Sequence, residues 1–354
     1  MTTGGSDVTD QSALADPVPG TPAMGGPVHD GAWHARKWGK KTPGEWLAAY
    51  GAVAVLIIMV VCFSVALPET YPNWTNIQSV LASESTVLML ALGLLVPAVV
   101  GEFDLSVGSM VAFSAIEMAL LSGDGIPWPL AVLITVCCAA LIGLFSALLV
   151  VRAGVNSFIA TLGVSTLLGG GSLWMSGGNS VVQGIPSSVT KLGQGSVLEI
   201  PLPVIYVVVL AIIFWFMFNH TPIGRKYYAT GGNRVAAELS GVRTRRLVLT
   251  AFVVSAAVAS LAGIVTLMRS GAGNPSVGPE LLLPSFAAVF LGSTTILPGR
   301  FNVVGTVIGI LLLAAGVAGL EQLGAQFYVV PLFNGAILLV AVTISRLLAR
   351  ERSA

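Results

Sequence analysis

Three carboxylates lie within or beside long apolar runs of the sequence: Glu84, Asp104 and Glu117. Ionisable side chains are rare in membrane-spanning helices, and they usually face the bundle interior or a wet cavity. If these runs cross a membrane, Glu117 lies 13 residues after Asp104, or about 20 Å along a helix, at a depth similar to that of Glu84. The two glutamates then either line an outward vestibule that accepts hydrogen bonds from hydroxyl groups, or each extends to the membrane surface or bonds to a neighbouring helix.

Other polar residues stand where helices are expected to begin. Asp104 precedes an apolar helix, where its carboxylate can cap exposed amide groups and complement the helix dipole. Helix starts in interrupted spans also face polar solutes in transporters. Asp104 with Ser106 is therefore either a cap alone or a cap that also borders a pathway. Asn156, Phe158 and Thr161 open a further apolar run, and capping explains Asn156 without any substrate.

The segment 219–246 carries six of the 17 Lys and Arg residues and contains a predicted short helix. Asn233 is a favourable N-cap, and Gly241 is a favourable stop. Between them, Val235 and Leu239 share one helix face at positions i and i+4. A helix of about two turns is marginal alone in water, so it must pack on its own membrane domain, on lipid or on a partner protein. The alternative is a plain cationic loop.

Motifs for nucleotide binding, nucleophilic catalysis and metal binding are absent from the sequence. It contains no G-x-x-x-x-G-K-[ST], no G-x-S-x-G and no H-E-x-x-H. The three cysteines lie in apolar runs, which argues against a disulfide framework and a structural zinc site. Any ATP-driven transport therefore needs an ATPase on another chain, and we expect this chain to bind no cofactor and no metal.

Composition predicts an all-α, polytopic membrane protein with about ten transmembrane helices. Of the 354 residues, 55% are hydrophobic and 9% are charged, whereas about 25% are charged in ordinary soluble domains. The net charge of +1 provides no basic field for nucleic acid. Ten apolar stretches approach the ~20 residues that cross a bilayer. They are 47–67, 79–100, 105–121, 128–151, 157–175, 202–218, 247–268, 281–297, 302–319 and 328–345.

The distribution of cations predicts that both termini are cytoplasmic. With ten spans, 15 of the 17 Lys and Arg residues fall in inside segments, and only Lys191 and Arg269 fall outside. We predict a disordered cytoplasmic arm over residues 1–46 because it is polar and rich in Gly and Pro. The transmembrane permease domain follows over 47–348, and a short cytoplasmic tail covers 349–354.

Four segments, in order between about residues 75 and 348, carry a family resemblance. They are Gly-Glu-Phe-Asp-Leu-Ser-Val-Gly-Ser (101–109), Ser-Phe-Ile-Ala-Thr-Leu-Gly (157–163), Gly-Asn-Arg-Val-Ala-Ala-Glu-Leu-Ser-Gly-Val (232–242) and Ala-Ser-Leu-Ala-Gly-Ile (259–264). Together they resemble the permease subunits of ribose-type ABC sugar importers, in the branched-chain and ribose permease superfamily. The resemblance implies a homodimer or heterodimer of ten-span permeases in the lipid of the bacterial cytoplasmic (inner) membrane. It further implies an extracytoplasmic sugar-binding protein and a separate tandem ATPase that carries ATP and Mg.

By position, the resemblance also implies roles for individual residues. The segment from Asp104 to Gly108 matches the family's Asp-Leu-Ser-Val-Gly signature near the translocation path. Glu102-Phe103 stands where the family commonly has Gly-Ile, and Asn156-Ser157 stands where it commonly has prolines, so ribose itself is not implied. The family's coupling helix, which seats in a groove of the ATPase, matches Asn233, Arg234, Val235, Ala236, Ala237, Glu238, Leu239, Ser240 and Gly241.

We therefore interpret the chain as a transporter subunit that forms the path for a monosaccharide or polyol and performs no covalent chemistry. A stand-alone secondary carrier and a membrane-embedded enzyme are the alternatives. The candidate residues of the translocation path are Glu84, Asp104, Ser106, Glu117, Asn156, Phe158 and Thr161.

Overall fold

The computed structural model of the protein describes Met1 and residues 43–351, and it places side chains for Met1 and residues 50–344. All but the two ends of the predicted arm 1–46 lie outside the described residues. The last three residues of the predicted tail also lie outside them.

The described residues form helices joined by short connections, with one short hairpin. The elements are α1 (Pro43–Ala66), α2 (Trp74–Val99), α3 (Ser106–Gly123), α4 (Trp128–Val151), α5 (Ser157–Ser176), α6 (Ser187–Gln194), β1 (Ser196–Val197), β2 (Ile200–Pro201), α7 (Leu202–His220), α8 (Pro222–Gly232), α9 (Arg234–Leu239), α10 (Thr244–Ser270), α11 (Gly278–Thr294), α12 (Val303–Gln322) and α13 (Val329–Glu351).

Seven helices in the described part of the chain are long and apolar enough to cross a membrane: α2, α3, α4, α5, α7, α10 and α12. Shorter apolar helical stretches run from Tyr50 to Ala66 and from Val329 to Ile344. Each of the ten predicted apolar stretches coincides with a helix, since α11 covers the remaining one. The prediction of an all-α, polytopic membrane protein is confirmed.

The packing of the bundle centres on α10, which contacts α2, α3 and α4. Glycines allow the backbones to approach closely. A Cβ on Gly263 of α10 would lie 2.3 Å from the carbonyl oxygen of Val111 in α3, and a Cβ on Gly143 of α4 would lie 2.7 Å from the carbonyl oxygen of Phe252 in α10. Small residues at helix contacts are typical of membrane bundles, because van der Waals packing drives helix association there.

Three apolar helices, α4, α5 and α7, leave most of their residues partly or fully exposed. Leu141, Leu167 and Ile212 are examples of large side chains on this surface. A soluble monomer rarely exposes such a broad apolar area. The surface therefore fits contact with lipid or with another membrane chain.

Three short helices, α6, α8 and α9, coincide with no predicted span. α6 and the antiparallel β1–β2 hairpin connect α5 to α7. α8 and α9 connect α7 to α10. α8 and α9 therefore position the residues of segment 219–246, which we call the central loop.

Candidate functional site

The central loop, 219–246, contains the short helix that the sequence predicted. Asn233 is extended, with φ −155° and ψ 103°, and its side-chain oxygen accepts a hydrogen bond from the Ala236 N–H at 3.0 Å. Gly241 follows the helix with φ +80°, a conformation that favours glycine. The predicted cap and stop are confirmed, and the helix covers six residues, Arg234–Leu239.

Two apolar side chains of α9 face away from the rest of the described chain. Val235 is 67% exposed and Leu239 is 85% exposed, whereas Ala237 is buried. A helix of six residues is too short to be stable by itself in water. It must therefore be held by its surroundings, and its exposed apolar face fits contact with a further surface.

Polar contacts attach the two ends of α9 to different elements. At the start of the helix, Nη2 of Arg234 lies 3.0 Å from Oε1 of Glu102 in the α2–α3 turn. At its end, the Thr244 hydroxyl donates a hydrogen bond to the Glu238 carboxylate, and Thr244 is the buried first residue of α10. α9 therefore bridges the turn 100–105 and α10.

The preceding helix, α8, packs on two interhelical turns. A Cβ on Gly231 would lie 1.9 Å from the carbonyl oxygen of Val99, so the end of α8 touches the end of α2 through backbone. The Tyr228 hydroxyl donates a hydrogen bond to the Phe301 carbonyl at 2.7 Å. The Arg300 guanidinium lies 3.6 Å from the centre of the Tyr228 ring, which is a cation–π geometry. Burial raises the pKa of Tyr228.

Asp104 is a buried carboxylate in the α2–α3 turn. One of its oxygens accepts hydrogen bonds from the Ser106 N–H at 3.1 Å and from the Ser106 hydroxyl at 2.5 Å. Burial raises the pKa of Asp104, and the bonds from Ser106 oppose that rise. The N-cap position itself is Leu105, because α3 begins at Ser106, and Leu105 makes no side-chain cap bond. This corrects the predicted cap by one residue, although Asp104 still binds the first residue of α3.

The first turn of α5 holds the same α2–α3 turn through two hydroxyl groups. The Phe103 N–H donates to Oγ of Ser157 at 3.3 Å, and the Leu105 N–H donates to Oγ1 of Thr161 at 3.0 Å. Thr161 in turn donates to the Ser157 carbonyl at 2.7 Å. We call this meeting point of α8, α9, the turn 100–105 and the first turn of α5 the junction.

The other two candidates near the start of α5 lie beside the junction rather than in it. The Asn156 side-chain oxygen accepts a hydrogen bond from the Phe158 N–H at 3.0 Å, which confirms the predicted cap. The Phe158 ring is exposed. The Phe158 side chain therefore lies on the exposed face of α5, whereas the Thr161 side chain is buried against the turn.

The two intramembrane glutamates have different surroundings. Glu84 of α2 lies near Arg269 of α10 and Glu321 of α12. Glu117 of α3 lies beside Cys138 of α4, and one of its carboxylate oxygens has no hydrogen-bond partner among the described residues. In the part of the chain that the structure describes, no group of three His, Cys, Asp or Glu side chains could hold a metal ion.

A cavity of about 560 Å³ lies between the start of α2, the end of α6 and the end of α10. Its walls include Gln78, Gln194, Thr266 and Arg269. Sequence reasoning did not predict this cavity, because its walls come from segments far apart in the chain. The one available signal was Arg269, a cation on the side that the charge distribution leaves nearly free of cations.

A family model for branched-chain amino acid transport system permease components matches residues 76–342. The chain belongs to this family. The resemblance drawn from the four segments is thereby confirmed, and this permease is a transport subunit rather than an enzyme.

Curated relatives cover most of this permease's length. It is 31% identical to the D-allose transport system permease protein AlsC of Escherichia coli K12, over 85% of this chain and 92% of that protein. It is 29% identical to the ribose import permease protein RbsC of Haemophilus influenzae, over 87% and 96% of the two chains. It is 30% identical to the autoinducer 2 import system permease protein LsrD of Salmonella paratyphi A, over 82% and 88%. No solved structure matches the chain significantly.

Three of the four segments that carry the resemblance meet at the junction of this permease. The turn 100–105 opens the first segment, Ser157 and Thr161 belong to the second, and α9 belongs to the third. Tyr228 and Arg300 also pack there, and no sequence pattern indicated them.

We expect replacement of Thr161 with Val to loosen the junction, because the Leu105 N–H then loses its acceptor. A buried donor without a partner costs about 1–3 kcal/mol. The measurement is the midpoint of thermal unfolding of the purified permease in detergent. Thr166→Val is the matched control, since the exposed Thr166 hydroxyl bonds only within α5, to the Leu162 carbonyl. Equal destabilisation by both variants contradicts the prediction.

Proposed function

We propose that this permease is the membrane subunit of an ABC importer for a monosaccharide or polyol. Its relatives are named for D-allose, ribose and autoinducer 2, and the first two are monosaccharides. The proposed partners are an ABC ATPase subunit, an extracytoplasmic sugar-binding protein and a second permease copy. ATP and Mg bind to the ATPase, and this chain forms the path.

The proposed topology has ten spans and both termini in the cytoplasm of a bacterial inner membrane. α1, α11 and α13 then complete the set of seven longer helices, as the ten predicted apolar stretches suggest. The excess of Lys and Arg between α7 and α10 supports a cytoplasmic position for α8 and α9. In this arrangement, residues 1–46 and 349–354 are the cytoplasmic arm and tail on either side of the permease domain 47–348.

The observation that carries the coupling proposal is the placement of α9. Its apolar pair, Val235 and Leu239, is exposed, and its two ends are attached to the α2–α3 turn and to α10. A partner that seats on α9 therefore acts directly on helices of the core. We assign docking of the ATPase to residues 233–241.

For the translocation path, we retain the residues that the sequence indicated. Asp104, Ser106 and Thr161 belong to the junction, at the cytoplasmic end of the proposed path, and Asn156 with Phe158 lies beside it. Glu84 and Glu117 lie within α2 and α3, in the outer half of the proposed topology. Their carboxylates supply acceptors for the hydroxyl groups of a sugar or polyol.

Cysteine labelling tests the proposed topology. Leu239 of α9 and Leu198 of the β1–β2 hairpin are both exposed, and the proposal places them on opposite sides of the membrane. In a background without the three native cysteines, we expect an impermeant maleimide on intact spheroplasts to label Leu198→Cys and to spare Leu239→Cys until the membrane is opened. The reverse pattern, or labelling of both from outside, contradicts the topology.

Copurification tests the proposed function. We expect the tagged permease, expressed with an ABC ATPase and a sugar-binding protein identified in its neighbouring genes, to retain the ATPase through affinity and size-exclusion steps. The assembled complex should then take up labelled D-ribose or D-allose in an ATP-dependent manner. A permease that retains no ATPase and still accumulates solute is a secondary carrier.

A further inference from the structure

The start of α9 is held by an ion pair rather than by packing. Nη2 of Arg234 lies 3.0 Å from Oε1 of Glu102, with the Glu102 side chain 12% exposed and that of Arg234 45% exposed. Half-exposed ion pairs contribute little to stability, because water and salt screen them. The position of this contact therefore matters more than its strength, since it joins the central loop to the α2–α3 turn.

From Glu102, a continuous series of contacts leads into the bundle. The next residue, Phe103, donates its N–H to Ser157, and Leu105 donates its N–H to Thr161. Both acceptors belong to the first turn of α5. A displacement of Glu102 thus reaches α5 through backbone and two hydrogen bonds, without a gap.

The end of α9 is attached independently. Glu238 accepts a hydrogen bond from Thr244 at the start of α10, and α10 packs against α2, α3 and α4. Ala237 is the α9 residue that is buried. The helix is therefore held chiefly through polar side chains at its two ends, and each end holds a different part of the permease.

We propose that the Glu102–Arg234 ion pair is the positioning contact that transmits movement of α9 to the turn 100–105 and from there to α5. This inference rests on the proposed function, in which an ATPase seats on α9. Without the pair, the ATPase still docks through Val235 and Leu239, but its closure no longer displaces the turn. Coupling of this kind is carried by contiguous contacts, and it is established by coupling measurements rather than by proximity.

The test is a charge-reversal cycle in the complete complex of permease, ATPase and binding protein in proteoliposomes. Glu102→Gln should retain the ATPase and its basal hydrolysis, because Glu102 lies outside the docking segment 233–241. Glu102→Gln and Arg234→Gln should each lower the uptake of labelled D-ribose or D-allose per ATP hydrolysed by about fivefold, the lower end of typical coupling between sites. The double variant Glu102→Arg with Arg234→Glu should restore that ratio to within about twofold of the wild type.

Arg245→Gln is the matched control, because Arg245 is an exposed cation of the same loop, at the start of α10 and outside the Glu102 contact. It should leave the ratio unchanged. Three results overturn the proposal: a normal ratio in Glu102→Gln, loss of the ATPase from that variant, or failure of the charge reversal to restore the ratio.

A second measurement uses the permease alone and needs no partner. Spin labels at Leu239 of α9 and at exposed Thr166 of α5, in the cysteine-free background, report the distance between the two helices. We expect a broader distance distribution in Glu102→Gln and a narrow one again in the charge-reversed variant. An unchanged distribution overturns the link. If the wild-type complex takes up no sugar, that result contradicts the proposed function. The distance measurement on the permease alone still tests the link between α9 and α5.

Discussion

Replacement of Leu239 with Asp is expected to release the ATPase from the purified complex. The Leu239 side chain is 85% exposed in the described chain, so the substitution leaves the fold of the permease intact. In the complex, the same side chain is expected to lie in an apolar groove of the ATPase, where an unpaired carboxylate is costly. A central contact of this kind contributes about 3 kcal/mol, or about a hundredfold in affinity.

The measurement for Leu239→Asp is the amount of ATPase retained at fixed permease concentration, together with sugar uptake. Ile223→Asp is the matched control, because Ile223 is an exposed apolar residue of α8 in the same loop. We expect Ile223→Asp to retain the ATPase. Equal loss in both variants indicates a general effect of charge on the loop, and full retention in Leu239→Asp contradicts the assignment of α9.

Replacement of Gly231 with Val is expected to separate α8 from the end of α2. A Cβ at this position would lie 1.9 Å from the Val99 carbonyl oxygen, so one backbone must move. Overpacking of this kind costs about 1–3 kcal/mol. Because Arg234 follows three residues later, the displacement also pulls it away from Glu102. We expect uptake to fall by at least about tenfold, with a lower midpoint of thermal unfolding.

Gly232→Val provides a closely matched control for that substitution. The two glycines are the last two residues of α8, but a Cβ on Gly232 would meet no atom within 4 Å. The cost in helix propensity is therefore the same in both variants, and the difference between them reports the contact with Val99 alone. Similar uptake by the two variants contradicts the role assigned to this contact.

The sequence was sufficient to predict features that depend on neighbouring residues. Hydropathy varies along the chain, so the apolar stretches could be located without knowing their partners, and each coincides with a helix. Asn233 and Gly241 specify the ends of α9 through local backbone chemistry, and the structure confirms both. Asp104 was predicted to be the N-cap of α3, but α3 begins at Ser106 and the N-cap position is Leu105.

Contacts between distant segments could not be predicted in this way. Thr161 binds a residue 56 positions earlier, and Arg234 pairs with a residue 132 positions away. No local pattern selects such partners, because helix packing brings them together. The cavity beside Arg269 depends on packing in the same manner. The different surroundings of Glu84 and Glu117 also follow from which helices flank α2 and α3.

We propose that this permease forms a path whose energy comes from a separate ATPase through α9. The most direct test is the accumulation of labelled D-ribose and D-allose in proteoliposomes that contain the permease alone or the complete complex. We predict accumulation only with the complete complex and ATP, and its loss in the Leu239→Asp variant. Accumulation by the permease alone, driven by an ion gradient, would contradict the claim.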